Sequence, residues 1–112
     1  MSAWSRRLSA KAKTVSLLLL DVDGVLTDGL ITFTSDGYEM KSFHIHDGHG
    51  IKQLARTGIE VGILSGRRSA IVDRRAKELG LVEVHQGADD KLVVYEALLA
   101  RRGLSDRQIA YM

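Results

Sequence analysis

The sequence predicts an α/β domain: a doubly wound, mostly parallel sheet of the Rossmann-like kind with a projecting β-hairpin. Two strands, 15–22 and 59–64, are expected to be buried on both faces of a parallel sheet, and the first holds the continuous apolar run Leu17 to Leu20. Helical stretches follow between such runs, and this alternation is typical of α/β domains. Two short extended runs at 30–44 surround a Ser-Asp-Gly turn and predict the hairpin.

The elements follow one another within a single domain, 1–112. The first is a short basic helix or arm, 1–13, in which Trp4 and Leu8 lie four residues apart and share a face. The simplest interpretation is that Trp4 covers an edge of the core. Glycines that follow three of the later helical stretches are expected to end them. We expect helices at 2–13, 49–57, 69–79 and 91–102, and strands at 15–22, 59–64, 82–85 and 109–112.

Composition narrows the class of protein. The chain has 112 residues and no cysteine, which excludes disulfides and thiolate metal sites. Its net charge is +2, but 1–13 holds four of the 16 basic residues and no acid, so the rest is slightly acidic. A basic face for nucleic acid is therefore not indicated. The first apolar run is too short to span a membrane and leads into acids rather than a signal cleavage site, so we expect a cytoplasmic protein.

The run Leu-Leu-Leu-Leu ends at two acids, Asp21 and Asp23, followed by Gly24. Ligands of open α/β sheets bind outside the carboxyl ends of the strands, where these acids are expected to lie. A carboxylate pair there suits a divalent cation such as Mg²⁺, or a nucleophile beside a general acid and base. The alternative is a pair of solvated acids in a turn, but the buried strand just before them favours a site.

The hairpin at 30–44 leaves the sheet directly after these acids, so it is placed to cover them. A two-stranded ribbon is only marginally stable alone, so it must pack on another surface. The residues expected to make that contact are Phe33, Tyr38, Met40 and Phe43.

Histidines are dense just after the hairpin, at His44, His46 and His49. This density is compatible with zinc, but we favour Asp47 as the N-cap of the following helix. In a further interpretation, His46 lies near the substrate as a titratable group.

Two further stretches carry phosphate-binding chemistry. Ser65 and Gly66 follow the second buried strand and precede a helix, so a hydroxyl and backbone N–H groups can donate to phosphate oxygens. Arg67 adds a planar fork that suits phosphate or carboxylate. Lys91 stands at the start of a helix, and a cation there can balance phosphate and acid charge. Each signal is weak alone, since a capping serine and solvated cations would give the same pattern.

Together these motifs resemble the haloacid dehalogenase superfamily of phosphohydrolases, and within it the 3-deoxy-D-manno-octulosonate 8-phosphate phosphatase family. The resemblance covers nearly all of the chain after about Lys13. It rests on DVDGVLTDG at 21–29, FHIHDGHGI at 43–51, LSGR at 64–67, QGADDK at 86–91 and IAYM at 109–112.

The resemblance implies roles for individual residues. Asp21 would be the nucleophile that forms an aspartyl-phosphate, and Asp23 the general acid and base. Mg²⁺ would be held by the Asp21 carboxylate and the Asp23 backbone carbonyl. Ser65, Gly66, Arg67 and Lys91 would bind substrate and phosphate.

The resemblance also implies a substrate, a cellular compartment and an oligomeric state. The substrate would be the octulosonate 8-phosphate of lipopolysaccharide biosynthesis, handled in the cytoplasm. The hairpin would stand in for a cap domain, and a neighbour's hairpin would help to close each site of a homotetramer.

The chain departs from the family at one point and leaves alternatives open. In the family the strand at 109–112 leads into a fourth motif, Gly-Asp-Asp, that these 112 residues do not contain. We therefore expect a C-terminally incomplete domain with poor phosphatase activity. The alternatives are a phosphatase for a nonulosonate 9-phosphate and a non-catalytic fragment acting only in assembly. A phospho-acceptor receiver domain is disfavoured, because its middle strand should end in an acid and this one ends in Leu64 and Ser65.

Overall fold

The computed structural model describes residues 2–112. It contains a four-stranded parallel sheet, a two-stranded antiparallel hairpin and four α-helices. The strands are β1 Leu17–Leu20, β2 Thr32–Phe33, β3 Glu39–Met40, β4 Glu60–Leu64, β5 Val84–His85 and β6 Ile109–Tyr111, and the helices are α1 Ala3–Ala12, α2 Ile45–Arg56, α3 Ala70–Glu78 and α4 Lys91–Arg102, with a 3₁₀ turn at Asp106–Gln108.

The sheet has the order β5-β4-β1-β6, so β1 lies between β4 and β6. From β1 the chain runs outward through α2, β4 and α3 to β5, and α4 then returns it to the other side of β1. Leu18 and Leu20 point into a core layer with residues of α2 and α3, whereas Leu17 and Leu19 point into a second layer with Leu98 of α4. Helices therefore cover both faces, which confirms the predicted doubly wound fold.

The start of α2 differs from the prediction. The helix begins at Ile45, four residues earlier than expected, and its N-cap is His44 rather than Asp47. The His44 Nδ1 atom accepts from the backbone N–H of His46 at 3.0 Å. Asp47 lies in the first turn, where a negative charge still interacts favourably with the helix dipole.

The hairpin forms as predicted, with Thr32 opposite Met40. Its turn is closed by the Thr34 amide, which donates to the Tyr38 carbonyl at 2.7 Å. Of the four expected contact residues only Phe43 packs against the core, beneath the Arg75 guanidinium. Phe33, Tyr38 and Met40 are 59%, 71% and 55% exposed. The hairpin therefore presents an apolar surface that its own domain leaves uncovered.

The α1 helix lies on the outside of the domain. None of its residues is buried, and Trp4 is 68% exposed, so the interpretation that Trp4 covers a core edge is wrong. Just after the helix, the Thr14 hydroxyl donates to the Arg107 carbonyl at 2.8 Å and connects this segment to the turn before β6. Within residues 2–112, no helix is long and apolar enough to cross a bilayer.

A buried carboxylate, Glu83, lies just before the outer strand β5, beside Gly62 of β4. Arg101 Nη2 donates to its two oxygens at 3.0 and 2.8 Å, and Arg102 Nη1 lies 3.4 Å away. His85 Nε2 lies at 2.8 Å. The hydrogen bond from Arg101 outweighs the opposing effect of burial and lowers the Glu83 pKa to about 2. These four residues, the Glu83 cluster, fasten the end of α4 to the sheet.

Candidate active site

The nucleophile predicted from the sequence lies at the carboxyl edge of the sheet, where the strand order reverses. Asp21 follows β1, and its backbone N–H donates to the Met112 carbonyl at 2.7 Å, which extends the pairing with β6. Its Oδ1 atom accepts from the N–H of Val22 at 2.8 Å. The carboxylate is held in one orientation and remains partly exposed. This is where doubly wound sheets bind ligands.

Lys91 reaches this carboxylate from the first residue of α4. Its Nζ atom donates to Asp21 Oδ2 at 3.1 Å and to the Tyr111 hydroxyl at 2.8 Å. The hydrogen bond to Tyr111 is the largest cause that raises the Lys91 pKa above its ordinary value, and Asp21 adds to it. Lys91 is therefore a cation held against Asp21. Tyr111 was not among the predicted site residues; its only signal in the sequence is its place near the end of a core strand.

Ser65 follows β4 at the same edge, and the structure buries it to 2% exposure. Its N–H donates to the His85 carbonyl at 2.9 Å, and its own carbonyl accepts from the Ala88 N–H at 3.0 Å. The loops after β4 and β5 thereby hold each other in place. A Cβ atom added at Gly66 would lie 3.7 Å from the Ala88 carbonyl, an ordinary contact, so local packing does not require glycine there.

Asp23 belongs to an ion network that the sequence predicts only in part. Lys41, directly after β3, places Nζ 2.8 Å from Asp23 Oδ1 and 3.1 Å from Glu39 Oε1. Arg67 completes the network, with Nη1 3.7 Å from Asp23 Oδ2 and Nη2 3.5 Å from Glu39 Oε2. We call these four residues the hairpin network. Arg67 was predicted to face phosphate or carboxylate, and here it faces two carboxylates.

Lys41 is the most enclosed member of the network, with a side chain that is 3% exposed. Burial alone would lower the Lys41 pKa, but the interactions with the carboxylates of Asp23 and Glu39 outweigh it and raise the pKa above its ordinary value. The Asp23 contact is a well-formed hydrogen bond, whereas Glu39 Oε1 is buried and ion-paired without an aligned hydrogen bond. Neither Lys41 nor Glu39 was predicted, because sequence spacing does not show where a hairpin folds back.

The donors at this edge are suited to a hard divalent cation. Asp21 and Asp23 offer carboxylate and carbonyl oxygens, their side chains are partly exposed, and Mg²⁺ keeps several waters when it binds one or two carboxylates. In residues 2–112, no group of three or more His, Cys, Asp or Glu side chains is arranged to hold a metal ion. The His44 and His46 rings lie 4.6 Å apart between centroids, but His44 Nδ1 is used as a helix cap.

This fold, with two acids after the first core strand and a helix-borne lysine against the first acid, defines the haloacid dehalogenase class of proteins. No family profile matches the chain, but individual proteins do. It is 40% identical over 108 residues to the 3-deoxy-D-manno-octulosonate 8-phosphate phosphatase of Salmonella typhi, covering 96% of this chain and 57% of that protein.

Solved structures of such phosphatases share the fold. One from Moraxella catarrhalis, in complex with a magnesium ion, a phosphate ion and 3-deoxy-D-manno-octulosonate, is 44% identical with a TM-score of 0.90, covering 95% of this chain and 61% of that one. The cobalt-bound form from Haemophilus influenzae is 40% identical with a TM-score of 0.83, covering 90% and 59%. The chain belongs to the 3-deoxy-D-manno-octulosonate 8-phosphate phosphatase family, and it spans a little over half the length of these relatives.

Proposed function

We propose that this chain carries the catalytic acids of a magnesium-dependent phosphatase that hydrolyses 3-deoxy-D-manno-octulosonate 8-phosphate in the cytoplasm, for lipopolysaccharide biosynthesis. The observation that carries the proposal is the Asp21–Lys91 contact of 3.1 Å at the carboxyl edge of the sheet. Surface ion pairs are common, but this one joins two residues 70 positions apart at the ligand-binding edge. The phosphatases named above supply the substrate class.

In the first half of the reaction, an Asp21 carboxylate oxygen attacks phosphorus and forms an O–P bond. The bond between phosphorus and the sugar oxygen breaks, and its electron pair stays on that oxygen. The sugar oxygen takes a proton from the Asp23 carboxyl group and leaves as an alcohol. The product on the protein is an aspartyl-phosphate at Asp21, and Asp23 is left as a carboxylate.

In the second half, water attacks the phosphorus of the aspartyl-phosphate and gives a proton to the Asp23 carboxylate. The O–P bond to Asp21 breaks, inorganic phosphate leaves, and both acids return to their starting forms. Throughout, the Lys91 cation and Ser65 would hold the oxygens of the transferring phosphoryl group. Lys91 also offsets the charge of Asp21, which otherwise repels an anionic substrate.

Mg²⁺ fits the oxygen donors of this edge, with the Asp21 carboxylate and the Asp23 backbone carbonyl as its protein ligands. When bound, it would neutralise charge that develops on the phosphoryl oxygens. The cobalt and magnesium ions of the two related structures support a divalent cation for this chain too.

The proposed assembly is a homotetramer in which hairpins of neighbouring chains close the sites. The exposed apolar side chains of Phe33, Tyr38 and Met40 support it, since apolar surface of this kind marks interfaces. Sedimentation at several protein concentrations tests the assembly. Met40→Ser should shift the protein toward smaller species, whereas an unchanged tetramer would place the interface elsewhere.

The activity is tested by magnesium-dependent phosphate release from the octulosonate 8-phosphate, beside a nonulosonate 9-phosphate as competitor. We expect faster turnover of the former, and a phosphorylated Asp21 detectable by mass spectrometry after acid quenching. Glu96→Gln, which removes a carboxylate from the exposed face of α4, is the matched control for changes at the site. Preference for the nonulosonate would correct the substrate, and hydrolysis without phosphorylation of Asp21 would refute the mechanism.

A further inference from the structure

We propose that Lys41 is a positioning residue for Asp23, and that through it the hairpin sets the geometry of the acid–base step. The inference rests on the proposed function, in which Asp23 exchanges a proton with the sugar oxygen and with water. Lys41 follows β3 directly and lies 18 positions from Asp23, yet its Nζ atom donates to Asp23 Oδ1 at 2.8 Å.

Burial makes this contact more than a surface ion pair. An exposed Lys–Asp pair contributes little, because water solvates both partners and the long side chain loses freedom. The Lys41 side chain is 3% exposed, whereas that of Asp23 is 27% exposed. A buried ammonium is strongly unfavourable unless it is paired, so Lys41 stays where Asp23 and Glu39 can reach it. The fixed partner is thus the lysine, and it determines where the Asp23 carboxylate lies.

The contact also distinguishes the two oxygens of Asp23. An ammonium group has donors and no acceptor, so an oxygen that accepts from Lys41 cannot at the same time present a proton toward it. Oδ1 is occupied in this way. Oδ2 faces Arg67, 3.7 Å away, whose side chain is 41% exposed. The oxygen free to exchange a proton with substrate is therefore Oδ2, on the open side of the network.

Glu39 and Arg67 extend the restraint to two other elements. Glu39 belongs to β3 and contacts Lys41 and Arg67 at 3.1 and 3.5 Å, while Arg67 follows β4. The hairpin, the loop after β1 and the loop after β4 thus share one set of ion pairs. A shift of β3 changes the position of Lys41 and with it the orientation of Asp23.

The test compares hydrolysis of the octulosonate 8-phosphate with hydrolysis of p-nitrophenyl phosphate. Both are measured in purified protein carrying Lys41→Met, Lys41→Arg or the control Lys77→Met, which removes an exposed lysine from α3. The sugar phosphate needs a proton on its leaving oxygen, whereas p-nitrophenolate leaves readily without one. Misplacing a catalytic group by about 1 Å costs up to ~10²-fold, so we expect Lys41→Met to slow first-turnover release of the sugar roughly 10- to 100-fold. Release of p-nitrophenolate should fall far less. Lys41→Arg should restore the ratio toward that of the unaltered protein, and Lys77→Met should leave it unchanged.

An equal loss on both substrates would overturn the proposal, because general destabilisation lowers both alike. If Lys41→Met does not fold, the double variant Glu39→Gln with Lys41→Met removes one charge of each sign, and the same ratio decides. If the unaltered protein hydrolyses neither phosphate, the proposed function fails, and amide hydrogen exchange judges Lys41 instead. Faster exchange at 22–24 and 39–41 in Lys41→Met than in Lys77→Met would support the tether, and equal exchange would overturn it.

Discussion

Two regions of the central sheet carry ion-paired side chains, and they differ in whether the acid is buried. Beside the outer strand β5, Glu83 is paired with two arginines and a histidine, and the arginines fasten α4 to the sheet. At the carboxyl edge, the cations Lys41 and Lys91 are gripped by carboxylates that remain partly exposed. The same ion-pair chemistry thus stabilises the fold where the acid is buried, and the proposed function uses it for a reaction where the acid reaches solvent.

The largest expected effect distinguishes the two regions by phosphatase activity. Asp21→Asn removes the proposed nucleophile while leaving an amide of nearly the same shape beside Lys91. Loss of a nucleophile costs at least about 10³-fold in turnover, and the free energy of unfolding should change by less than about 1 kcal/mol. Phosphate release and urea unfolding of the same samples measure both quantities. Near-normal turnover would show that another group attacks phosphorus.

The reciprocal change removes the Glu83 carboxylate. Glu83→Gln leaves Arg101 without its carboxylate and Arg102 with Glu60 alone. Hydrogen bonds to a buried charge contribute on the order of 2 kcal/mol. We expect that loss in the free energy of unfolding, with turnover per folded molecule unchanged. Glu96→Gln, an exposed change in the same helix as Arg101, should leave unfolding nearly unaltered. Equal free energies of unfolding of the two variants would show that Glu83 does not stabilise the fold.

Acid sharpens the same comparison. The Glu83 pKa falls to about 2 in the folded chain from an ordinary value of 4.5. Its stabilisation is therefore complete above the unfolded value and is lost as the pH falls from about 5 toward 2, because only the unfolded state takes up the proton at first. Between those pH limits, the free energy of unfolding of the unaltered protein should fall toward that of Glu83→Gln. A difference in the free energy of unfolding that stays constant across this pH range would contradict the lowered pKa.

The smallest effect concerns the support of Lys91. Tyr111→Phe removes the hydroxyl that accepts from Lys91 at 2.8 Å and keeps the ring 5.5 Å from Nζ. One hydrogen bond contributes about 0.5–1.5 kcal/mol, so turnover should fall roughly 2- to 10-fold. Tyr38→Phe, at the exposed hairpin turn, is the control. A loss as large as that of Asp21→Asn would mean that the tyrosine itself takes part in the chemistry.

Local signals in the sequence were sufficient for the fold and for half of the site. A continuous apolar run placed Asp21 at a strand end, and Asp90 caps α4 so that Lys91 begins it as predicted. The start of α2 was missed because histidine is an unusual cap. The pairing of Lys41 with Asp23 could not be predicted, because two-residue strands carry almost no periodicity and the fold-back of the hairpin is a tertiary property.

The long-range contacts of Asp21 have a consequence for the order of events during synthesis. Its side chain is held by Lys91, 70 positions later, and its backbone by Met112 in the continuation of the last strand. At 5–20 residues per second, a ribosome needs roughly 4–14 s to make the stretch from Asp21 to Lys91. For that time the nascent leucine strand lacks its neighbour β6, and until 60–64 are made it also lacks β4, so its apolar side chains stay exposed. Slow codons placed within 22–90 would lengthen that exposure, whereas the same codons placed earlier would not.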